Sequence, residues 1–201
     1  MPTPDLPLRY VALGDSYTIG TSVLAPERWP DQLVRRLPLL ELVANLGVNG
    51  FTSRDVVEVE LPDLPALQPD FVTLLIGVND VVQGVPEGTY RRNVEQVLDE
   101  LIRLVGANHV VVVTTPDYTV TPAGADYGDP ILQAAGIRTS NGIITELATV
   151  RGIVVADIHG ISLRAATDRS LVAADGLHPS GAQYALWVDR IAPAVKALLA
   201  R

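Results

Sequence analysis

Val110-Val111-Val112-Val113, set between His109 and Thr114, places a β-branched side chain at four successive positions. Successive side chains of a strand face opposite ways, so a run with no polar alternation belongs to a strand covered on both faces, the environment of a parallel sheet. Outward from this run, taken as Val110 to Thr114, four others share its character: Leu8 to Leu13, Leu42 to Leu46, Phe71 to Ile76 and Ile153 to Ile158. Helical patterns lie between them. In Thr89 to Val105 the apolar residues Tyr90, Val94, Val97, Leu98, Leu101, Ile102 and Val105 recur at three and four, and Gly106 stands where a helix would stop. Pro30 to Leu37, Ser53 to Leu61, Ile131 to Val150 and Ser180 to Leu199 are further helical segments, the last expected to kink at Pro193. Alternation of strands and helices predicts a doubly wound α/β sheet with right-handed crossovers.

Ligands of such folds bind beyond the carboxyl ends of the strands. That rule selects Gly14-Asp15-Ser16, Gly47-Val48-Asn49-Gly50, Gly77-Val78-Asn79-Asp80, Thr115-Pro116-Asp117 and His159-Gly160. The one long irregular stretch, Pro116 to Pro130, carries Tyr118 and Tyr127 and is expected to be a binding loop.

A chain of 201 residues suits a single domain over 1–201. Its formal net charge is −8 and Lys196 is its only lysine, which argues against a nucleic-acid or phosphate-binding surface. The absence of cysteine excludes disulfides, thiolate metal sites and a cysteine nucleophile. Met1-Pro2-Thr3-Pro4-Asp5 has neither the basic start nor the apolar stretch of a secretory signal, and no apolar run approaches the roughly 20 residues that span a bilayer. A cytoplasmic protein without stable membrane association is expected.

Ser16 follows a strand and precedes a turn, so its hydroxyl is either a nucleophile at the sheet's mouth or a helix cap. A phosphate loop would need a nearby lysine, and there is none. Asp175-Gly176-Leu177-His178-Pro179 offers an imidazole base with a carboxylate three residues away, the parts needed to hold one ring nitrogen while the other moves protons. The alternative is a solvated Asp and a capping His. Of the other histidines, His109 enters a strand at the far edge and reads as structural, whereas His159 leaves a strand at the right edge, close to Asp157, and competes for the role of base. Gly50 and Asn79 could supply a backbone N–H and a side-chain amide to a developing oxyanion, or could merely shape turns.

Taken together, Gly14-Asp15-Ser16-Tyr17-Thr18-Ile19-Gly20, Asn45-Leu46-Gly47-Val48-Asn49-Gly50, Gly77-Val78-Asn79-Asp80 and Asp175-Gly176-Leu177-His178-Pro179 resemble, in order, the four blocks of the SGNH hydrolases, the GDSL-type esterases and lipases. Arg138 and Asn141, with Ile143 and Ile144, are similar to the family's penultimate helix, so the resemblance spans nearly the whole chain. Tyr17 departs from the pattern, because the family more often carries leucine or isoleucine after the serine.

The resemblance implies a three-layer α/β/α sandwich, flavodoxin-like, with five parallel strands in the order 2-1-3-4-5. It implies a serine esterase cleaving short acyl or acetyl esters through an acyl-enzyme, independent of metal and cofactor. Catalysis would fall to Ser16, Asp175 and His178, and the oxyanion hole to Ser16, Gly50 and Asn79, with Asp15 and Asp80 bracing the loops. Thr21 to Trp29, Val81 to Gly88 and Pro116 to Pro130 should wall an open site, with Tyr17, Trp29, Val81, Val82, Val85 and Tyr118 touching a small-molecule ester. An acyltransferase, thioesterase or lysophospholipase on the same site, and a non-catalytic binding protein, are the alternatives.

Overall fold

In the computed structural model, which describes residues 6–200, the chain alternates strand and helix as its apolar periodicity requires. It runs β1 (Leu8–Gly14), α1 (Ser16–Ile19), α2 (Trp29–Arg36), β2 (Leu40–Asn45), α3 (Ser53–Asp55), a π turn (Val56–Glu60) and α4 (Leu61–Leu67). It continues through β3 (Phe71–Leu75), α5 (Val78–Val82), α6 (Glu87–Val105), β4 (Val110–Val113), α7 (Pro130–Val150), β5 (Val154–Ala156), α8 (His159–Ser162) and α9 (Gly181–Leu199). The five strands form one all-parallel sheet in the order β2-β1-β3-β4-β5.

The central strands β1, β3 and β4 are buried on both sides, and their alternation sorts side chains into two cores. Tyr10, Ala12, Phe71, Leu75, Val111 and Val113 pack with Trp29 and Leu33 of α2 and Tyr184, Trp187 and Ile191 of α9. Val11, Leu13, Val72, Leu74, Val110 and Val112 pack with Leu64 of α4, Val94, Leu98 and Leu101 of α6 and Ile144 and Leu147 of α7. Each fully buried aliphatic or aromatic side chain contributes about 1.5–3 kcal/mol. Ion pairs such as Arg36–Asp189 and Arg91–Glu146 are largely exposed, where such pairs are worth about 0–1 kcal/mol. Burial of the sheet therefore holds the layers together.

Several expected boundaries move. The fifth strand, expected over Ile153 to Ile158, ends at Ala156 because Thr114 Oγ1 donates to Asp157 Oδ1 at 2.8 Å and accepts the Ile158 N–H at 2.9 Å, taking both residues out of the ladder. The helical segment expected over Ser53 to Leu61 continues through the π turn and α4 to Leu67. Helix α9 persists on both sides of Pro193, where an interior proline costs about 3 kcal/mol, because Ile191, Ala192 and Val195 are buried around it. Among the described residues no helix is long and apolar enough to cross a membrane.

Beneath the end of β1 lies a buried acid. Glu60, 2% exposed, accepts the Gly14 N–H on Oε2 at 2.9 Å, while Oε1 has no partner among the described residues. Burial pushes its carboxyl from 4.5 to about 9; the Gly14 N–H opposes this shift and Asp15 adds to it. The folded protein thus holds a proton that the unfolded chain releases. The associated stability is whole below about pH 4.5 and is lost as pH rises through about 9. Glu60→Gln keeps an acceptor for Gly14 without the titration. Urea midpoints at about pH 5 and about pH 9 should show the parent losing more stability between them than the variant; parallel losses would mean that Glu60 does not titrate in this range.

Candidate active site

The turn after β1 is built by its own side chains. Gly14 has φ 149°, and a Cβ there would lie 2.2 Å from the Leu75 carbonyl oxygen, so only glycine allows β1 and β3 to approach this closely before the chain turns. Asp15 caps α1: its Oδ1 accepts the Tyr17 N–H at 2.9 Å, and its carbonyl accepts the N–H groups of Thr18 and Ile19 at 3.0 Å. Ser16 is thereby the first residue of the helical turn, where a backbone N–H has no intrahelical partner. Burial pushes the Asp15 carboxyl to about 7; the Tyr17 N–H opposes this and Asp80 reinforces it.

The base loop is closed by an antiparallel bridge between Val172 and Pro179 and by the Ala173 N–H, which donates to the His178 carbonyl at 2.7 Å. Inside it, Asp175 Oδ1 accepts the N–H groups of Leu177 and His178 at 2.9 and 3.0 Å. Its other oxygen, Oδ2, accepts His178 Nδ1–H at 2.6 Å and the Ser22 hydroxyl at 2.6 Å. Burial alone would raise this carboxyl, but the bonds from Ser22, Leu177 and His178 outweigh it and hold the group at about 2. With Nδ1 committed, Nε2 is the imidazole nitrogen left without a partner among the described residues. Ser16 Oγ has no hydrogen-bond partner among the described residues, and contacts of this kind commonly tighten only when substrate fills a site.

Gly50 and Asn79 complete the ring. Gly50 sits at φ 82°, and among the described residues its N–H meets no acceptor while its carbonyl accepts Gln83 Nε2 at 3.0 Å. Asn79 Nδ2 spends one hydrogen on the Phe51 carbonyl at 2.9 Å, which orients the amide and leaves its second hydrogen. Asp80, next in the chain, accepts the Ser53 N–H at 2.9 Å and the Ser53 hydroxyl at 2.6 Å, tying α5 to the start of α3.

These groups line one cleft of about 310 Å³. Its polar lining is Ser16, Asn49, Gly50, Asn79 and His178; its apolar wall is Tyr17, Val78, Val82, Tyr118, Tyr127 and Leu177. Tyr17 is 3% exposed and lies between His178 and Trp187, with ring centroids 5.2 and 6.4 Å away. Tyr118 meets Tyr127 edge-on at 5.9 Å and donates to Gln133 Oε1 at 2.9 Å. Burial, with Asp117 and Tyr127 nearby, pushes the Tyr118 hydroxyl up to about 12.

Three expected contact residues lie elsewhere. Trp29 is fully buried in the core between α2 and α9. Val81 packs against Gly136 of α7, and Val85 packs into the opposite core with its N–H bound to the Asp80 carbonyl. For the two valines the reason is α5, a helical turn in a segment read as loop. It puts Val78 and Val82, four residues apart, on the cleft side and turns Val81 towards α7. Val78, Leu177, Tyr127 and Asn49 were not among the expected contacts, although each belongs to a sequence block or loop singled out above. His159 lines a separate depression with Arg138, Asn141 and Asp157, away from Ser16. His109 Nδ1 bonds the Val105 carbonyl at 2.9 Å, before β4. Asn141 brackets Thr115, accepting its N–H at 2.7 Å and donating to its carbonyl at 2.9 Å, which fixes the loop leaving β4. Among the described residues no group of three or more His, Asp or Glu side chains could hold a metal ion.

Comparison with known proteins agrees with this architecture. Residues 12–186 match the GDSL-like Lipase/Acylhydrolase family. A multidomain esterase of Ruminococcus flavefaciens is 30% identical over 137 residues; the match takes in 64% of this chain but only 16% of that protein's length. Among solved structures, a lipolytic protein of the G-D-S-L family from Veillonella parvula superposes with a TM-score of 0.77 at 16% identity, over 94% of this chain and 98% of the other. The acetylxylan esterase Axe2 of Geobacillus stearothermophilus gives a TM-score of 0.73 at 19% identity over 94% of both chains. The sheet order and the match over residues 12–186 lead to one assignment: the chain belongs to the GDSL-like lipase and acylhydrolase family.

Proposed function

We propose that residues 1–201 form a single serine-esterase domain that hydrolyses short-chain carboxylic esters through an acyl-enzyme. The observation that carries this reading is the 2.6 Å bond from His178 Nδ1 to Asp175 in a cleft that also holds Ser16, Gly50 and Asn79. His178 Nε2 takes the Ser16 proton as Oγ attacks the ester carbonyl, and the tetrahedral oxyanion is met by the N–H groups of Ser16 and Gly50 and the Asn79 amide. Collapse expels the alcohol, which leaves with the proton from His178. Water, deprotonated by the same imidazole, then attacks the acyl-Ser16 carbonyl; the second collapse releases the carboxylic acid and returns the proton to Oγ. Asp175, held ionised by its four hydrogen bonds, stabilises the imidazolium in both halves.

The size of the cleft and its lining by Val78, Val82 and Leu177 favour a small acyl group. Its tyrosines leave a flat, partly polar wall for the alcohol portion. The acetylxylan esterase among the structural neighbours is consistent with acetyl transfer to water on this fold, and we extend that acyl preference, not the xylan, to this chain.

Ser16→Ala should lower turnover of p-nitrophenyl acetate by at least about a thousandfold, and unchanged turnover would sink the mechanism. His178→Ala should fall comparably while His159→Ala stays close to the parent; the reverse result would move the base to His159. Asn79→Ala should cost roughly a hundred- to a thousandfold in kcat with little change in KM. A Val82→Phe variant should narrow the acyl wall and reduce the butyrate-to-acetate ratio of kcat/KM about tenfold; an unaltered ratio would place the acyl chain elsewhere.

A further inference from the structure

Asp175 receives four hydrogen bonds, and three of them come from its own loop: the N–H groups of Leu177 and His178 on Oδ1, and His178 Nδ1 on Oδ2. The fourth comes from Ser22, whose hydroxyl donates to Oδ2 at 2.6 Å across 153 residues of sequence. Ser22 follows α1 closely: the chain leaves the helical turn at Gly20, the Thr21 N–H still bonds the Ser16 carbonyl at 3.0 Å, and the next residue is Ser22. One side-chain bond thus joins the segment that carries the nucleophile to the loop that carries the base. The neighbouring hydroxyl, Thr21, donates to Asn49 Oδ1 beside Gly50. Adjacent residues therefore latch the nucleophile segment to the base loop on one side and to the oxyanion loop on the other.

Ser22 makes its bond from an unfavourable backbone. Its φ is 66°, in the left-handed region that side chains other than glycine rarely occupy. A glycine would relax there, whereas the serine bears the strain with its hydroxyl bonded to Asp175. Such strain gathers at sites whose geometry must be held, and a hydroxyl on an ionised carboxylate is a charge-assisted bond.

The geometry points to Ser22 as a positioning residue of the acid–base pair, one that fixes the rotation of the Asp175 carboxylate so that Oδ2 stays on His178 Nδ1 and the imidazole keeps its place over Ser16. This rests on the reading of His178 as the base. Ser22 touches neither the reacting atoms nor the substrate, so its effect belongs in kcat and in the state of the His178 Nδ1 proton.

The test is Ser22→Gly, which removes the hydroxyl at a position where glycine relieves the backbone, with Ser22→Ala as a second variant and His178→Ala as control. Kinetics with p-nitrophenyl acetate are read beside the downfield proton resonance of the His178 Nδ1–H. Because the Ser22 bond is exposed, the expected fall in kcat is about three- to tenfold, with KM changing less than about twofold, in both variants. The resonance should shift or broaden in both. A kcat of Ser22→Gly within about 1.5-fold of the parent, or a lower kcat with an unmoved resonance, overturns the assignment. Full turnover by His178→Ala instead overturns the choice of base, and the role of Ser22 falls with it.

Discussion

Parallel pairing is the constraint from which the site follows. Strands that all run the same way bring every carboxyl end to one edge, and the order β2-β1-β3 sets the ends of the first three strands side by side. Ser16, Gly50 and Asn79 each lie just past one of those ends, so three residues spread over more than sixty positions become neighbours, and bonds such as Asn79 to the Phe51 carbonyl and Thr21 to Asn49 then fix the loops on one another. The register supports this, with Gly14 of β1 opposite Leu75 of β3 and Ala12 opposite Asn45 of β2. The close passage of Gly14 over the Leu75 carbonyl shows how little room the arrangement leaves.

His178 arrives by another route. After β5, at the far edge of the sheet, the chain passes through α8 and short helical turns and returns as α9, which packs with α2 over the β1 side of the sheet. The loop that starts α9 is thereby carried back to the mouth of β1. His178 meets the ring of Tyr17, which is backed in turn by Trp187 and, edge-on to that, Tyr184. Tyr17 thus acts through bulk: where the family more often has an aliphatic side chain, a ring lies against the imidazole and lines the cleft beside Ser16.

What could be read in the sequence was whatever depends on short-range pattern. Val110 to Val113 announced a doubly covered strand, and the residues after each strand announced the edge. The positions of Val81 and Val85 were not legible, because they depend on one helical turn. Val78 to Val82 is too short for periodicity to show, and the glycine that caps it, Gly77, reads in sequence as part of a loop. Once that turn forms, i and i+4 share a face and the apparent row of contact residues divides between cleft and core. Trp29 was drawn into the cleft by its nearness in sequence to Ser16, but as the first residue of α2 it has a large apolar surface and a buried place between two layers to receive it. Ser22 carried no signal at all, since its partner lies at the other end of the chain.

The acids packed around this edge pose the sharper physical question. In the proposed mechanism an oxyanion forming at Ser16 would need positive potential, yet Asp15 precedes Ser16, Glu60 holds the N–H of Gly14 and Asp80 follows Asn79, all of them buried. Three ionised carboxylates there would oppose the charge that the N–H groups are placed to stabilise. Desolvation removes much of the conflict: it keeps Glu60 protonated through neutral pH and brings Asp15 to about 7, while Asp80 is countered by two bonds from Ser53. Burial that would be a plain cost elsewhere here keeps Glu60 protonated and shifts Asp15 and Asp80 upward, while all three brace the turns through hydrogen bonds. Asp175 is the contrasting case. It is partly exposed, takes four donors and stays ionised, which in the proposed mechanism places a negative charge behind His178, where the imidazolium would form, and not beside the oxyanion.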